Sequence, residues 1–386
     1  MLKLTRLLAG AVTMAAAAAL VAGTVTTASA APTEPNSAPA PYDIVGVGSA
    51  TTQYVIDALA SEYNATIPNA KHSPSNPRVY SWDAWKPGTD PNGVTKIAPK
   101  AGCTVITRPN GSGNGLTALN TTTAVHYKGA IYPCLNFDRS SGARKPTNPK
   151  KAPGGVVFVA FAKDAITWAT RSPAKGGSDA PKNLSLNLKQ LQGIFTCSLK
   201  NWNQVGGKNA AIKVYLPQSG SGTLSTWEKF MGITGALGSC VTSTKIEENE
   251  GTNAAFNSPN AIFIYSIGAY VAQKYHSAAC NKAPVGTQNK FGCNLTGFLA
   301  PNKINGVAPM TSAKVPTINT KFPPGFFRTL YDVVNFNSSS KDDIGARLDR
   351  IFGGKAAKGY FCTSATAQKT IVAYGFLNTG LCGSTS

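Results

Sequence analysis

Three times along this chain an apolar stretch runs into a turn built almost wholly of Gly, Ser and Thr, and then into a helix-forming segment. The turns read "GVGSATTQ" at 46–53, "RPNGSGNG" at 108–115 and "QSGSGT" at 218–223. No other feature constrains the fold as strongly. A strand, a tight turn and a helix, repeated at long spacing, demand alternating β and α elements, and so an α/β architecture with mainly parallel sheets. The same turns constrain the chemistry. The first turn of a helix leaves N–H groups without intrahelical partners and carries the positive end of the helix dipole. Glycine lets a ligand approach those groups, and Ser and Thr add hydroxyl donors. One such turn is an ordinary cap. Three that converge would surround a small tetrahedral oxyanion with neutral donors.

The segments around the turns agree. A short strand at 43–47 precedes "TTQYVIDALASEYN", in which Val55, Ile56, Leu59 and Tyr63 share one helical face. Strands are also expected at 105–107 and in "CLNFDRSSG", "GGVVFVAFAKD" and "RTLYDVVNF". A helix is expected at 188–195, with Ser185 or Asn187 near its N-cap. Two more helices follow in "KDDIGARLDRIF" and "TAQKTIVAYGFL".

The chain has 386 residues, with 37 Lys and Arg against 17 Asp and Glu, a formal charge of +20. Such a field draws anions in. The lysines are dispersed, and neither a basic helix nor aromatic–basic interleaving is present, which argues against a nucleic-acid partner. Residues 1–30 have Lys3 and Arg6, an alanine-rich apolar run and Ala28-Ser29-Ala30, the pattern of a cleaved secretory signal. The mature chain is expected to begin near Ala31 with a Pro/Ala/Ser spacer, disordered over 31–41. The first cysteine is Cys103, so no lipid-anchoring cysteine sits at the cleavage site, and no later apolar run is long enough to span a bilayer. A secreted or periplasmic protein is expected. Eight cysteines fit an oxidising compartment, and nearest-neighbour pairing closes modest loops: Cys103–Cys134, Cys197–Cys240, Cys280–Cys293 and Cys362–Cys382. His72, His126 and His276 are scattered and no C-x-x-C occurs, so no metal site and no cofactor is expected.

Catalysis finds little support. "SGSGT" at 219–223 lacks the lysine of a phosphate loop. Ser221 lies in S-G-S-G-T rather than G-x-S-x-G, without an evident His/Asp pair. No catalytic residue is assigned, and a hydrolase or phosphatase is the least favoured alternative.

"GSGT" at 220–223, "LKQLQGIFTCSLKNW" at 188–202 and "AIFIYSIGAY" at 261–270 occur in that order. On these pieces the chain resembles the periplasmic phosphate-binding proteins, the solute receptors of phosphate ABC transporters, and within them a secreted actinobacterial branch. The resemblance covers nearly all of 42–386. It implies a two-domain α/β fold of the periplasmic-binding-protein type II class, with a hinge and an interdomain ligand cleft. Domain 1 would comprise 42–160 and 322–386, and domain 2 residues 161–321. The implied function is capture of a tetrahedral oxyanion, inorganic phosphate foremost, by a monomer that serves an ABC permease. An extracellular scavenger or interaction protein without a transporter is the alternative.

By resemblance the ligand donors are Ser221, Gly222 and Thr223 in the third turn, and Ser112 with Gly113 in the second. Those of the first turn lie among Ser49, Thr51 and Thr52, with Thr51 favoured. Two positions depart from the family pattern. The family's arginine, four residues before the matched serine, is Pro217 here. The family's aspartate, which accepts the proton of hydrogen phosphate, is Ser141. Arg139, beside Ser140 and Ser141, is expected to replace the missing guanidinium, with Arg108 as the second candidate. Asp138 and Glu248 are the carboxylates considered for the missing aspartate. With Ser141 in that place, weaker discrimination between phosphate and sulfate is expected.

Overall fold

The first apolar stretch forms strand β1 (Ile44–Gly48), buried throughout, which enters a 3-10 turn over Ala50–Thr52 and then helix α1 (Gln53–Ala65). Gly48 makes this junction with φ +118°, and a Cβ there would lie 2.0 Å from an Asp138 carboxylate oxygen, so only glycine fits. Strand β2 (Val79–Ser81), helix α2 (Ser112–Asn120) and strand β3 (Phe137–Ser140) follow, and β1 pairs in parallel with both β2 and β3. The computed structural model describes residues 34–86, 88–145, 156–233, 238–276, 294–336, 344–356 and 358–386. The signal segment at 1–30 lies outside them.

Next comes β4 (Val156–Arg171), a near-continuous apolar run buried on both faces. Helix α3 (Leu188–Phe195) forms where its periodicity places it, closed by a capping box between Asn187 and Gln190. Strand β5 (Lys213–Pro217) leads into α4 (Gly222–Phe230), and β6 (Val241–Ile246) follows. Strand β7 (Ala261–Ser266) passes directly into α5 (Ile267–His276). Then come β8 (Leu299–Pro301), β9 (Phe327–Asn335), α6 (Ile344–Phe352) and α7 (Ala365–Ala373). The architecture is α/β.

Among the described residues the main sheet runs β6-β5-β7-β4-β9-β3-β1-β2, with β8 added to β4. The expected mainly parallel sheet is parallel only in its wings, where β1 joins β2 and β3, and β5 joins β6 and β7. The centre is antiparallel. β4 pairs with β9 from Val156 to Ala165, and then changes partner to β7 and β8. One long strand therefore serves both wings. Each wing packs its own core. Val55, Leu59, Phe137, Phe161, Phe352 and Ile371 cluster beside the β1 wing. Trp168, Leu191, Phe195, Trp202, Trp227 and Phe326 cluster beside the β5 wing.

Three cysteine pairs form as expected, Cys103–Cys134, Cys197–Cys240 and Cys362–Cys382, while the Cys280–Cys293 pair lies outside the described residues. The expected disordered spacer is corrected over residues 34–41. Glu34 forms an ion pair with Arg108, and the Ala101 N–H donates to the Pro39 carbonyl at 2.8 Å. A buried guanidinium needs a carboxylate, and the arm supplies it. No helix among the described residues is long and apolar enough to cross a membrane.

The Cys197–Cys240 bond closes a loop with a sequence separation of 43 residues. Replacing both cysteines by serine is expected to lower unfolding free energy by about 2–4 kcal/mol, read as a shift in the urea midpoint.

Candidate anion-binding site

All three turns meet. The first follows β1, the second opens α2 and is tied to the end of β1 by a bridge between Gly48 and Asn110, and the third opens α4 after β5. The Gly113 N–H donates to the Gly220 carbonyl at 2.9 Å, which clamps the second turn to the third. This consumes the Gly113 donor that was expected for a ligand. Around the junction the Ser49 hydroxyl bonds that of Ser141 at 2.9 Å, and the Thr51 and Thr223 hydroxyls lie 3.2 Å apart. The Ser112 hydroxyl accepts from the Ser141 N–H at 3.0 Å. Ser49, Thr51, Ser112, Ser141, Ser221 and Thr223 are all buried. Ser221 caps α4, accepting from the Leu224 N–H at 3.0 Å. Gly222 is required here, because a Cβ would sit 2.5 Å from the Ser112 and Ser141 hydroxyl oxygens.

The hydroxyls of Ser49, Thr51, Ser141 and Thr223 have a common acceptor. It is Oε1 of Glu248, at 3.4 Å from Ser49, 3.4 Å from Ser141, 2.9 Å from Thr223, and in a short bond from Thr51. Of the two carboxylates considered from sequence, Glu248 reaches the junction. Asp138 lies behind it, packed against Gly48 and Gly115.

Several expected site residues are placed otherwise. Arg139 is fully buried and turned away from the hydroxyls. Its guanidinium donates to the carbonyls of Ser49 at 3.1 Å, Trp82 at 2.8 Å and Gly48 at 3.3 Å, and to the Ser81 hydroxyl. It props the first turn from below, which corrects its expected role as the ligand's guanidinium. The reason is register. Arg139 lies opposite Gly48 on the neighbouring parallel strand, so its side chain fills the space beneath the β1 turn. Arg108 is likewise held elsewhere, by Glu34, the Asp83 carbonyl and Thr95. Ser140 donates to the Gly142 carbonyl at 2.9 Å, and the Thr52 hydroxyl is buried without a hydrogen bond.

The cation at the junction is Arg328, which sequence reasoning missed. It enters from the start of β9, donates Nη1 to the Ser141 carbonyl at 2.9 Å, and reaches the Thr51 hydroxyl with Nη2 at 3.4 Å. Asp164 on β4 pairs with it at 2.8 Å, both side chains buried. The available signal was an arginine at the mouth of a buried strand, "FFRTLYDVV", far from any turn in sequence.

A family model described as the PBP superfamily domain matches residues 26–317. No curated protein matches the chain. Among solved structures the chain is similar to a protein of Clostridium perfringens assigned as a phosphate ABC transporter substrate-binding protein and solved with bound phosphate. That likeness has 15% identity over 87% of this chain and 99% of that one, with a TM-score of 0.52. It is also similar to an ABC-type phosphate transport receptor from Vibrio cholerae, at 16% identity, 87% and 100% coverage, and a TM-score of 0.49. At these identities the likeness concerns the fold alone.

Beneath the junction, carboxyls crowd around Arg139. Burial pushes Asp57, Asp138 and Asp332 well above the ordinary carboxylate range, against the pull of Arg139. Burial and then Glu34 push Asp83 up to about 7. Burial also raises Glu247 strongly. These groups keep their protons when folded and lose them when unfolded, at every pH between the ordinary carboxylate value and their raised one. The unfolded chain then binds fewer protons, so stability falls as pH rises. His276, lowered by burial, opposes this below its ordinary 6.5. Lys100, lowered by burial to about 7, opposes it from there upward, while Glu228 and Glu250, raised by burial, add to the five, so seven groups stand against two. The melting temperature at fixed ionic strength is expected to be higher at pH 5 than at pH 7.5, and Asp83→Asn is expected to flatten that difference. A melting temperature that climbs from pH 5 to 7.5 would contradict the assignment.

Proposed function

Because the chain belongs to the PBP superfamily, we propose that it is a solute-binding protein that captures a tetrahedral oxyanion, inorganic phosphate foremost. One observation carries the reading: hydroxyls from three separate segments, Ser49 and Thr51 of the first turn, Ser141 just after β3 and Thr223 of the third turn, converge on one buried point and there hold an anionic oxygen. The point lies beyond the carboxyl ends of β1, β3 and β5, where ligands of open α/β sheets bind. The relative from C. perfringens, which carries phosphate, lends support at the level of fold.

In this reading the wings act as the two expected domains, 42–160 with 322–386 and 161–321, except that Phe161 packs in the core of the first and Phe326 in that of the second, and the ligand lies in the cleft between them. Thr51, Ser49, Ser112 and Ser141 present donors from the first, and Ser221, Gly222 and Thr223 from the second. Arg328, already neutralised by Asp164, biases the seat toward anions without adding a free positive charge. This role requires no proton transfer or bond cleavage, and the Ser221 hydroxyl, which accepts from the Leu224 N–H, keeps its own proton free to donate to the solute. Export by the N-terminal signal and delivery to an ABC permease complete the role.

Thr223→Val keeps the shape and removes one donor. It is expected to weaken phosphate binding roughly ten- to a hundredfold, the usual worth of a hydrogen bond to a charged group, as measured by titration calorimetry. If millimolar phosphate, sulfate and arsenate all leave heat and melting temperature unchanged in the folded protein, the oxyanion reading is wrong.

A further inference from the structure

Glu248 occupies the place that a ligand oxygen would take. One carboxylate oxygen accepts from Ser49, Thr51, Ser141 and Thr223, while the other is buried with no hydrogen bond. Among the described residues no cation lies within ion-pair distance of it. Three of the four hydroxyls come from the β1 wing, whereas Glu248 follows β6 in the other wing. The carboxylate therefore spans the crevice in the manner of a bound anion.

Its placement is built rather than incidental. Asn249, next in the chain, adopts φ +60° and is fixed on three sides. Its side chain accepts from the Ser266 N–H at 2.9 Å and donates to the Thr51 hydroxyl at 3.1 Å, and its carbonyl accepts from Gln273 at 3.0 Å. On the other flank, the Glu247 N–H donates to Asn92 at 3.1 Å, and its carboxyl accepts from Asn110 at 2.6 Å. Both asparagines belong to the β1 wing, so the 247–249 segment is fastened across the crevice on either side of Glu248.

We propose that Glu248 is an intramolecular ligand of the oxyanion seat: it holds the crevice closed without solute and competes with an incoming anion for the same hydroxyls. The proposal rests on the oxyanion reading and deepens it. A carboxylate and a dianion cannot share four donors at this distance without strong repulsion, so solute binding displaces Glu248. The solute prevails because a tetrahedral anion offers several oxygens, whereas Glu248 uses one and strands the other. The apparent affinity is then the intrinsic one reduced by the fraction of molecules whose seat is free.

The test compares the full mature chain with Glu248→Ala and the shape-conserving Glu248→Gln. Each is titrated with phosphate and with sulfate by calorimetry, and its radius of gyration is measured by small-angle scattering with and without phosphate. Expected is a gain of about tenfold or more in affinity for both anions in Glu248→Ala, with a smaller gain in Glu248→Gln. Glu248→Ala should also expand without phosphate and contract with it, while the parent changes little. Equal or weaker binding of both anions by folded variants overturns the proposal and leaves the oxyanion reading intact. So does a loss of phosphate binding with a gain of sulfate, which would make Glu248 an acceptor of the ligand's proton. If no folded form binds either anion, the oxyanion reading itself falls.

Discussion

A buried hydroxyl must find an acceptor, and four of them aimed at one point must find a strong one. Leaving such donors unmatched in a dry interior costs about 1–3 kcal/mol each. Everything at the crevice follows from that demand. Gly48 and Gly222 give up side chains so that backbone and hydroxyls can crowd together. The parallel wings bring strand ends to a common edge, and Arg139 is spent beneath the first turn to hold it up. The negative oxygen at the centre is the element that makes the arrangement stable.

Local signals in the chain were readable because their causes are local. The Gly/Ser/Thr turns could be seen from composition, and α3 from a capping residue followed by helical periodicity. Cysteine pairing by nearest neighbour succeeded for three bonds because each closes a short excursion. What depended on distant partners was hidden. The antiparallel centre arises because β4 pairs first with β9, some 170 residues later, and nothing in its own apolar run states a direction. Arg328, to which the sequence assigned no role, stands where Arg139 was expected, for the same reason. Arg139 sits beside the serines in the chain but behind them in the sheet, and Arg328 arrives from a strand far away. Glu248 was visible only as one of two carboxylates to consider, since its reach across the crevice is set by the anchoring of Asn249.

The charge of +20 and the acidic interior are complementary rather than contradictory. Among the described residues only Lys100, Arg108, Arg139 and Arg328 of the basic side chains are buried, and the rest are at least partly exposed, where they raise the local concentration of anions. Inside, Asp57, Asp83, Asp138, Asp332 and Glu247 favour protonated, neutral forms because burial penalises their charge. The seat therefore relies on dipoles and hydroxyls rather than on net positive charge, and such groups discriminate by geometry. In the proposed role the basic coat would govern arrival and the oriented neutral donors fit.

The change of partner along β4 has a mechanical consequence. Up to Ala165 this strand is bonded to β9, and from Ile166 onward to β7, so the backbone between those two residues belongs fully to neither wing. A relative rotation of the wings would concentrate its torsion there, sparing the ladders on either side. In the proposed role that junction would serve as a flexure joining two plates, with the bonds of Glu248 setting where they rest.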